Sequence, residues 1–299
     1  MRPLVVIPTY NESENIERML RRIHECLPGA GVLVVDDGSP DGTADLVKGV
    51  AAELPEVHLL SRAAKSGLGS AYRAGFAWGL ERGYDACIEI DADFSHDPAA
   101  LPTLVAPLSE GFDVVIGSRY VEGGSIPNWA WHRHLLSRGG NLYASAVLGL
   151  GVVDSTAGYR AYSAGILRRL DLSHIRAEGY GFQIEMTYRA RQLGAAITEV
   201  PIKFVDREAG ESKMSSFIVI EALGLVTWWG LGRIVRGTQR RFSGPRKKAL
   251  SNGNGTGPSA GAAAPAVTAD HTDTGTGTAA DTGTDTDTDT GTEDPVRSV

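Results

Sequence analysis

An α/β fold, with a mainly parallel sheet and helices on both faces, follows from three features of this 299-residue chain. Short runs rich in β-branched residues alternate with longer stretches of helical spacing through the first half. The runs read as buried strands. Polar turns bearing Asp, Gly and Asn come straight after them, at the carboxyl ends where ligands gather in such sheets.

The expected strands are PLVVIPT (3–9), GVLVVDD (31–37), VHLLSR (57–62), DACIEID (85–91), DVVIGSR (113–119) and, later, AAITEVPIKFV (195–205). Helical spacing marks 13–27, 41–53, 67–83, 98–110, 132–149 and 182–194. Asp41 is the expected N-cap of the second helix, and Gly29, Gly83 and Gly111 stand where helices should stop. Asp97-Pro98 reads as a helix start. A last apolar helix is expected over 215–232. It is followed by Arg233, Arg236, Arg240, Arg241, Arg246, Lys247 and Lys248 without an intervening acid.

Composition divides the chain into three parts. Residues 1–232 carry the strand and helix patterns, and an apolar content of 42% supplies a core. Residues 233–250 are basic. Residues 251–299 are Gly, Thr, Asp and Ala without an aromatic side chain, a composition that cannot offset chain entropy and is expected to be disordered. The net charge of −7 belongs to that tail, leaving 28 acidic against 28 basic residues in 1–250. The folded part is neutral, and no nucleic-acid partner is expected. Cys26 and Cys87 lack metal spacing; they fit a reducing compartment, although two cysteines can also pair. The apolar stretch at the N-terminus is too short for a signal peptide, so a cytosolic catalytic part is expected.

The chemistry is expected in the turns. Asp91-Ala92-Asp93 ends the fourth strand, where two carboxylates form a hard-oxygen site for Mg²⁺ or Mn²⁺ that can share its coordination sphere with phosphates. Alone, each would be an ordinary solvated loop residue. PTYNE (8–12) and DDGSPDGT (36–43) follow strands one and two, where acidic and amide side chains can bind a base and ribose hydroxyls. Neither G-x-G-x-x-G nor G-x-x-x-x-G-K-S/T follows the first strand, which argues against dinucleotide and P-loop binding.

These turns, with KSGLGSAYRAG (65–75), resemble the inverting family 2 glycosyltransferases of the glycosyltransferase A, Rossmann-like fold. More narrowly, GSRYVEGG (117–124), WHRHLLSRGGN (131–141), GYGFQIEM (179–186) and VDREAGESKM (205–214) are similar to the polyprenol (dolichyl) monophosphate mannose synthases. The resemblance spans roughly residues 3–230. It implies transfer of mannose from GDP-mannose to a polyprenyl phosphate with inversion, giving a β-mannosyl phosphate. The other donor it allows is another nucleotide sugar, such as UDP-glucose.

The resemblance assigns Asp91 and Asp93 to the metal, and Pro8, Tyr10, Glu12, Asp37 and Asp91 to the nucleotide. Arg207 and Lys213 are assigned to its diphosphate from a closing loop. Some members carry Gln where this chain has Ser95. A phosphate acceptor needs charge neutralisation more than deprotonation, and Arg119, Arg133 and Ser137 are the candidates to hold it. A dehalogenase-type phosphotransferase would leave PTYNE unexplained, and a nucleotide-sensing scaffold would leave Asp91, Asp93, Arg119 and Arg133 unexplained. Helix 215–232 contains Glu221 and is expected to lie on the bilayer rather than cross it, with Trp228 and Trp229 at the interface and the basic run on anionic lipid. The resulting expectation is a peripheral protein on the cytoplasmic face of the membrane. The resemblance also allows an integral membrane protein as anchor.

Overall fold

The computed structural model describes residues 1–206 and 221–232. Its sheet contains β1 (Pro3–Thr9), β2 (Gly31–Asp36), β3 (Val57–Ser61), β4 (Ala86–Glu89), β5 (Val114–Ser118), β6 (Arg160–Ser163) and β7 (Ile197–Pro201). The strand order is β3-β2-β1-β4-β6-β5-β7. Neighbours among β1 to β4 run parallel, as do β5 and β7, whereas β6 is antiparallel to both β4 and β5. The helices are α1 (Ile16–Cys26), α2 (Thr43–Glu53), α3 (Leu68–Glu81), α4 (Leu101–Ser109), α5 (Trp131–Leu148), α6 (Ala164–Arg169) and α7 (Gly179–Gln192).

Strand alternation builds the two cores. Leu4, Val6, Leu33 and Val35 pack with Tyr72 and Phe76 of α3 and with residues of α5 to α7. Val5, Ile7, Val32 and Val34 face the other way, onto Ile16 and Met19 of α1, Val47 of α2 and Leu101 of α4. Close approach of α3 to β1 depends on Gly75, because a Cβ there would collide with Val6.

Several expectations are corrected. β6 and α6 were not anticipated. The sequence of β6, RAYS, has no β-branched residue and begins with a charge. Arg160 is nevertheless fully buried, and it donates to the carbonyls of Ala157, Ser155 and Gln183 and to Thr187. α6 is only six residues long and is capped by Ser163. β4 stops at Glu89, so Asp91 and Asp93 lie in the turn beyond it. Gly42 (φ 86°) takes the N-cap position of α2. Asp41 works from one residue earlier, accepting from Thr43 N at 3.1 Å and from Ser13 N at 3.0 Å. Partial burial opposes ionisation of Asp41, but the Thr43 and Ser13 donors outweigh it and hold its pKa at about 2. Both cysteines are free, and burial pushes the Cys87 thiol up to about 12.

Residues 221–232 are helical. Ala222 and Val226 are buried against the core, and Trp229 stacks on Tyr188 with ring centroids 6.3 Å apart. Trp229 is therefore partly buried against the protein, whereas Trp228 stands 73% exposed. Among the described residues no helix is long and apolar enough to cross a membrane. Arg207, Lys213, the start of the expected 215–232 helix, the basic run and the acidic tail lie outside the described residues.

Candidate active site

The turns after β1, β2 and β4 meet at one edge of the sheet. Asn11 (φ 57°) reverses the chain after β1, and its backbone N–H donates to Ser39 Oγ, tying the turn to the one after β2. Asp37 is buried. Its Oδ2 accepts from Ser66 N at 3.0 Å, and Arg62 Nη1 stands 3.2 Å from Oδ1. Lys65 sits 4.6 Å over the Tyr10 ring. Glu178, from the start of α7, reaches across to accept from Gly69 N at 2.7 Å at the first turn of α3, and burial raises its carboxyl. Pro8, Tyr10, Glu12, Asp37, Lys65 and Glu178 line a cleft of about 340 Å³ that ends at Asp91 and Asp93.

The carboxylate pair is shaped by strain. Phe94 holds φ 59°, a costly conformation for a bulky residue and one that gathers at functional turns. Asp93 is buried and accepts from Ser95 N at 3.0 Å, while the Asp91 side chain is 36% exposed. Tyr72 donates to Asp91 Oδ1 at 3.4 Å. Among the described residues no three His, Cys, Asp or Glu side chains converge on one metal position. Two carboxylates at the end of that cleft still fit Mg²⁺ or Mn²⁺, which take oxygen ligands and commonly complete their shells from substrate phosphate and water.

Beyond the pair opens a second cavity of about 410 Å³, lined by Asp91, Asp93, His96, Arg119, Arg133 and Gln183 among others. Arg119 is buried. Its Nε and Nη2 donate to Asp154 at 2.7 and 2.6 Å, and Nη2 also reaches Thr156 at 2.8 Å, which leaves Nη1 for a ligand. Burial works against both charges, yet the pairing outweighs it: the Asp154 carboxyl is held below its usual range and the Arg119 guanidinium above its own. Arg133 projects from α5 over the Trp129 ring at 4.2 Å, and its Nη1 is 3.3 Å from Asp206. Ser137, one turn along α5, accepts from Tyr120 Oη at 2.7 Å. Burial keeps His96 neutral, with its pKa pressed down to about 4 against the pull of Asp93.

A third, apolar cavity of about 150 Å³ shares Trp129, Arg133, Thr156 and Tyr180 with the second. Arg133, Ser137 and Tyr180 stand at its polar side, and Leu136, Ile184 and Val226 form its walls. The structure therefore brings together every predicted site residue that falls in the described part. Sequence reasoning missed Lys65, Glu178, Gln183, Asp154 and Tyr180; KSGLG and GYGFQIEM carried Lys65, Tyr180 and Gln183 as motif members without a role.

A cleft at the ends of parallel strands, a carboxylate pair after β4 and a second cavity across that pair define a glycosyltransferase of the A fold. The chain belongs to glycosyl transferase family 2, whose model matches residues 4–171. It is 54% identical over 241 residues to the undecaprenyl-phosphate mannosyltransferase of Micrococcus luteus, covering 81% of this chain and 99% of that one. It is 49% identical to the polyprenol monophosphomannose synthase of Mycolicibacterium smegmatis, over 79% and 89% of the two chains. Among solved structures, glucosyl-3-phosphoglycerate synthase from Mycobacterium tuberculosis superposes with a TM-score of 0.56 at 23% identity, over 75% of this chain and 78% of that one. That enzyme has also been solved with Mn²⁺, UDP and glucosyl-3-phosphoglycerate. Mannosyl-3-phosphoglycerate synthase from Rubrobacter xylanophilus gives 0.54 at 20% identity, over 84% and 78%. These likenesses establish the fold.

Proposed function

We propose that this enzyme transfers mannose from GDP-mannose to a polyprenyl phosphate with inversion at the anomeric carbon. One observation carries the reading: the polar cavity lined by the carboxylate pair and the arginines shares Trp129, Arg133, Thr156 and Tyr180 with an apolar one. An acceptor with a phosphate head and a hydrocarbon tail matches that sequence of environments, and the two bacterial relatives carry names of the same kind.

Roles follow from position. Pro8 and Tyr10 flank the guanosine, and Glu12 and Asp37 accept from its N–H and hydroxyl groups. Asp91 and Asp93 hold the divalent cation. Bound there, the metal neutralises charge on the departing diphosphate. Arg207 and Lys213, outside the described residues, are assigned to the same diphosphate. Arg133, with Nη1 of Arg119 and the hydroxyl of Ser137, holds the acceptor phosphate. A phosphate monoester has a second pKa of about 6 and is largely dianionic at neutral pH, so its oxygen attacks without a general base. A single displacement converts the α-linked donor to a β-mannosyl phosphate.

A lipid acceptor calls for work at a membrane surface, and the reading takes the enzyme as peripheral on the cytoplasmic face. Leu135, Leu136, Tyr143 and Leu223 line a shallow apolar groove between α5 and helix 221–232. Trp131, Leu142, Trp228 and Leu231 are exposed apolar side chains of the same two helices. A large exposed apolar area marks a contact surface, and tryptophan suits the bilayer interface. The test is organic-phase extraction after incubation with undecaprenyl phosphate in detergent and either labelled GDP-mannose or labelled UDP-glucose. Extractable label from GDP-mannose alone, abolished by EDTA and restored by Mn²⁺ or Mg²⁺, is expected. Label from UDP-glucose alone would overturn the donor assignment.

A further inference from the structure

We infer that Gln183, with His96 beside it, reads a hydroxyl group of the transferred sugar. The inference rests on the glycosyl-transfer reading above and adds to it a determinant of sugar specificity. Both residues line the cavity that lies between Asp91 and Asp93 on one side and Arg119 and Arg133 on the other. Gly158 lies between them: a Cβ on Gly158 would stand 3.7 Å from His96 Cε1 and 3.9 Å from Gln183 Nε2. Gly158 lines the same cavity as the two polar side chains.

Both side chains are almost wholly buried, Gln183 at 2% and His96 at 3% exposure. Gln183 Nε2 donates to Glu89 Oε2 at 2.6 Å. Gln183 Oε1 and His96 Nδ1 are both buried, and neither has a hydrogen-bond partner among the described residues. Asp91 Oδ2 stands 3.8 Å from Nδ1, outside hydrogen-bond reach. His96 is instead held by its ring, stacked on Tyr159 with centroids 5.0 Å apart and edge-on to Phe204 at 5.6 Å. Buried polar atoms without partners are uncommon, and each one calls for an explanation. Two of them flanking one glycine in one cavity have a common explanation in a ligand.

The chemistry selects the ligand. An amide oxygen can only accept. A phosphate dianion has no proton to give it, so Gln183 Oε1 does not pair with the acceptor head group. A sugar hydroxyl meets both atoms: its O–H donates to Gln183 Oε1, and its oxygen accepts from His96 in the Nδ1–H form. Sites built to pair a substrate hydroxyl reject the analogue that lacks it far more strongly than apolar pockets reject a missing methylene.

The test crosses one variant with a donor series. Wild type and Gln183→Met are assayed with a parent nucleotide sugar and its 2-, 3-, 4- and 6-deoxy forms. The parent is whichever of GDP-mannose and UDP-glucose the wild type turns over, so a wrong donor assignment shows separately from a wrong role for Gln183. One deoxy donor is expected to lose about 10- to 100-fold in kcat/KM with wild type. Gln183→Met should lose the same factor on the parent sugar and show no further loss on that deoxy form, while inhibition by the free nucleoside diphosphate is unchanged. An equal loss on every donor, or weaker inhibition by the nucleoside diphosphate, would overturn the inference. If Gln183→Met fails to fold, His96→Phe carries the same test, since it keeps the ring packing and removes only the nitrogens. A wild type that turns over neither donor overturns both readings.

Discussion

Replacing Asp154 by alanine would isolate a buried cation beneath the acceptor cavity. Asp154 has no exposed surface and accepts from Arg119 through the backbone N–H at 2.9 Å, Nε at 2.7 Å and Nη2 at 2.6 Å. Arg119 is itself 6% exposed, and its remaining side-chain hydrogen bond among the described residues goes to the Thr156 hydroxyl. A guanidinium cannot neutralise itself by losing a proton. Removing one half of a buried ion pair costs about 3–5 kcal/mol, and the lost backbone N–H bond adds about 1 kcal/mol. The expected loss of about 4–6 kcal/mol is a large share of a total stability of about 5–15 kcal/mol. At about 2–4 °C per kcal/mol for a domain of this size, the Tm should fall by roughly 10–20 °C. Urea unfolding followed by tryptophan fluorescence measures the free energy, and calorimetry measures the Tm. Asp154→Asn keeps one acceptor and should lose about half as much. Arg119→Met with Asp154→Leu should recover most of the loss, because apolar replacement of a buried pair is often neutral. A loss below about 1 kcal/mol in Asp154→Ala would show that the guanidinium is solvated, and the role given to Asp154 would be wrong.

Three further outcomes are expected. Arg133→Ala should raise the KM for polyprenyl phosphate about 10- to 100-fold and leave GDP inhibition unchanged, since Arg133 faces the acceptor cavity and not the donor cleft; weaker GDP inhibition would refute that split. Burial pushes Glu89 up to about 8 against the pull of Arg160 and Gln183, so the folded chain keeps a proton that the unfolded chain releases near pH 4.5. That stability is full below pH 4.5 and is lost as pH rises to about 8, on the order of a few kcal/mol, so Glu89→Gln should flatten the fall in Tm between pH 5.5 and 8.5; an unchanged fall would refute it. Trp131→Ser with Trp228→Ser should lower partitioning onto anionic vesicles about tenfold or more without changing Tm, because both rings are exposed; equal partitioning would move the membrane contact elsewhere.

Much of the fold is legible in the chain because β1, β2, β4 and β5 carry apolar runs buried on both faces, and such a run needs no partner to be recognised. β6 escapes that reading. Its arginine is hydrogen-bonded by groups as distant as Gln183 and Thr187, so a buried strand is written in polar letters. The donor cleft is legible where it comes from turns directly after strands, as with Tyr10, Asp37 and Asp91. It is illegible where a side chain crosses the fold: Glu178 meets Gly69 from 109 positions away. Arg119 was anticipated at the site, but its pairing with Asp154, 35 residues on, was not. Helical period likewise marks Trp228 and Trp229 as neighbours, and only the packing of Tyr188 decides which of them turns inward.

The central claim is a single displacement of GDP from mannose by a lipid phosphate bound between Arg133 and the carboxylate pair. The measurement that tests it most directly is the anomeric configuration of the product. Purified enzyme, GDP-mannose, Mg²⁺ and a short polyprenyl phosphate should yield a mannosyl phosphate whose one-bond carbon–hydrogen coupling at the anomeric centre, read by NMR, is that of the β anomer. An α product would contradict the single displacement, and a product carrying mannose on any group other than phosphate would contradict the acceptor.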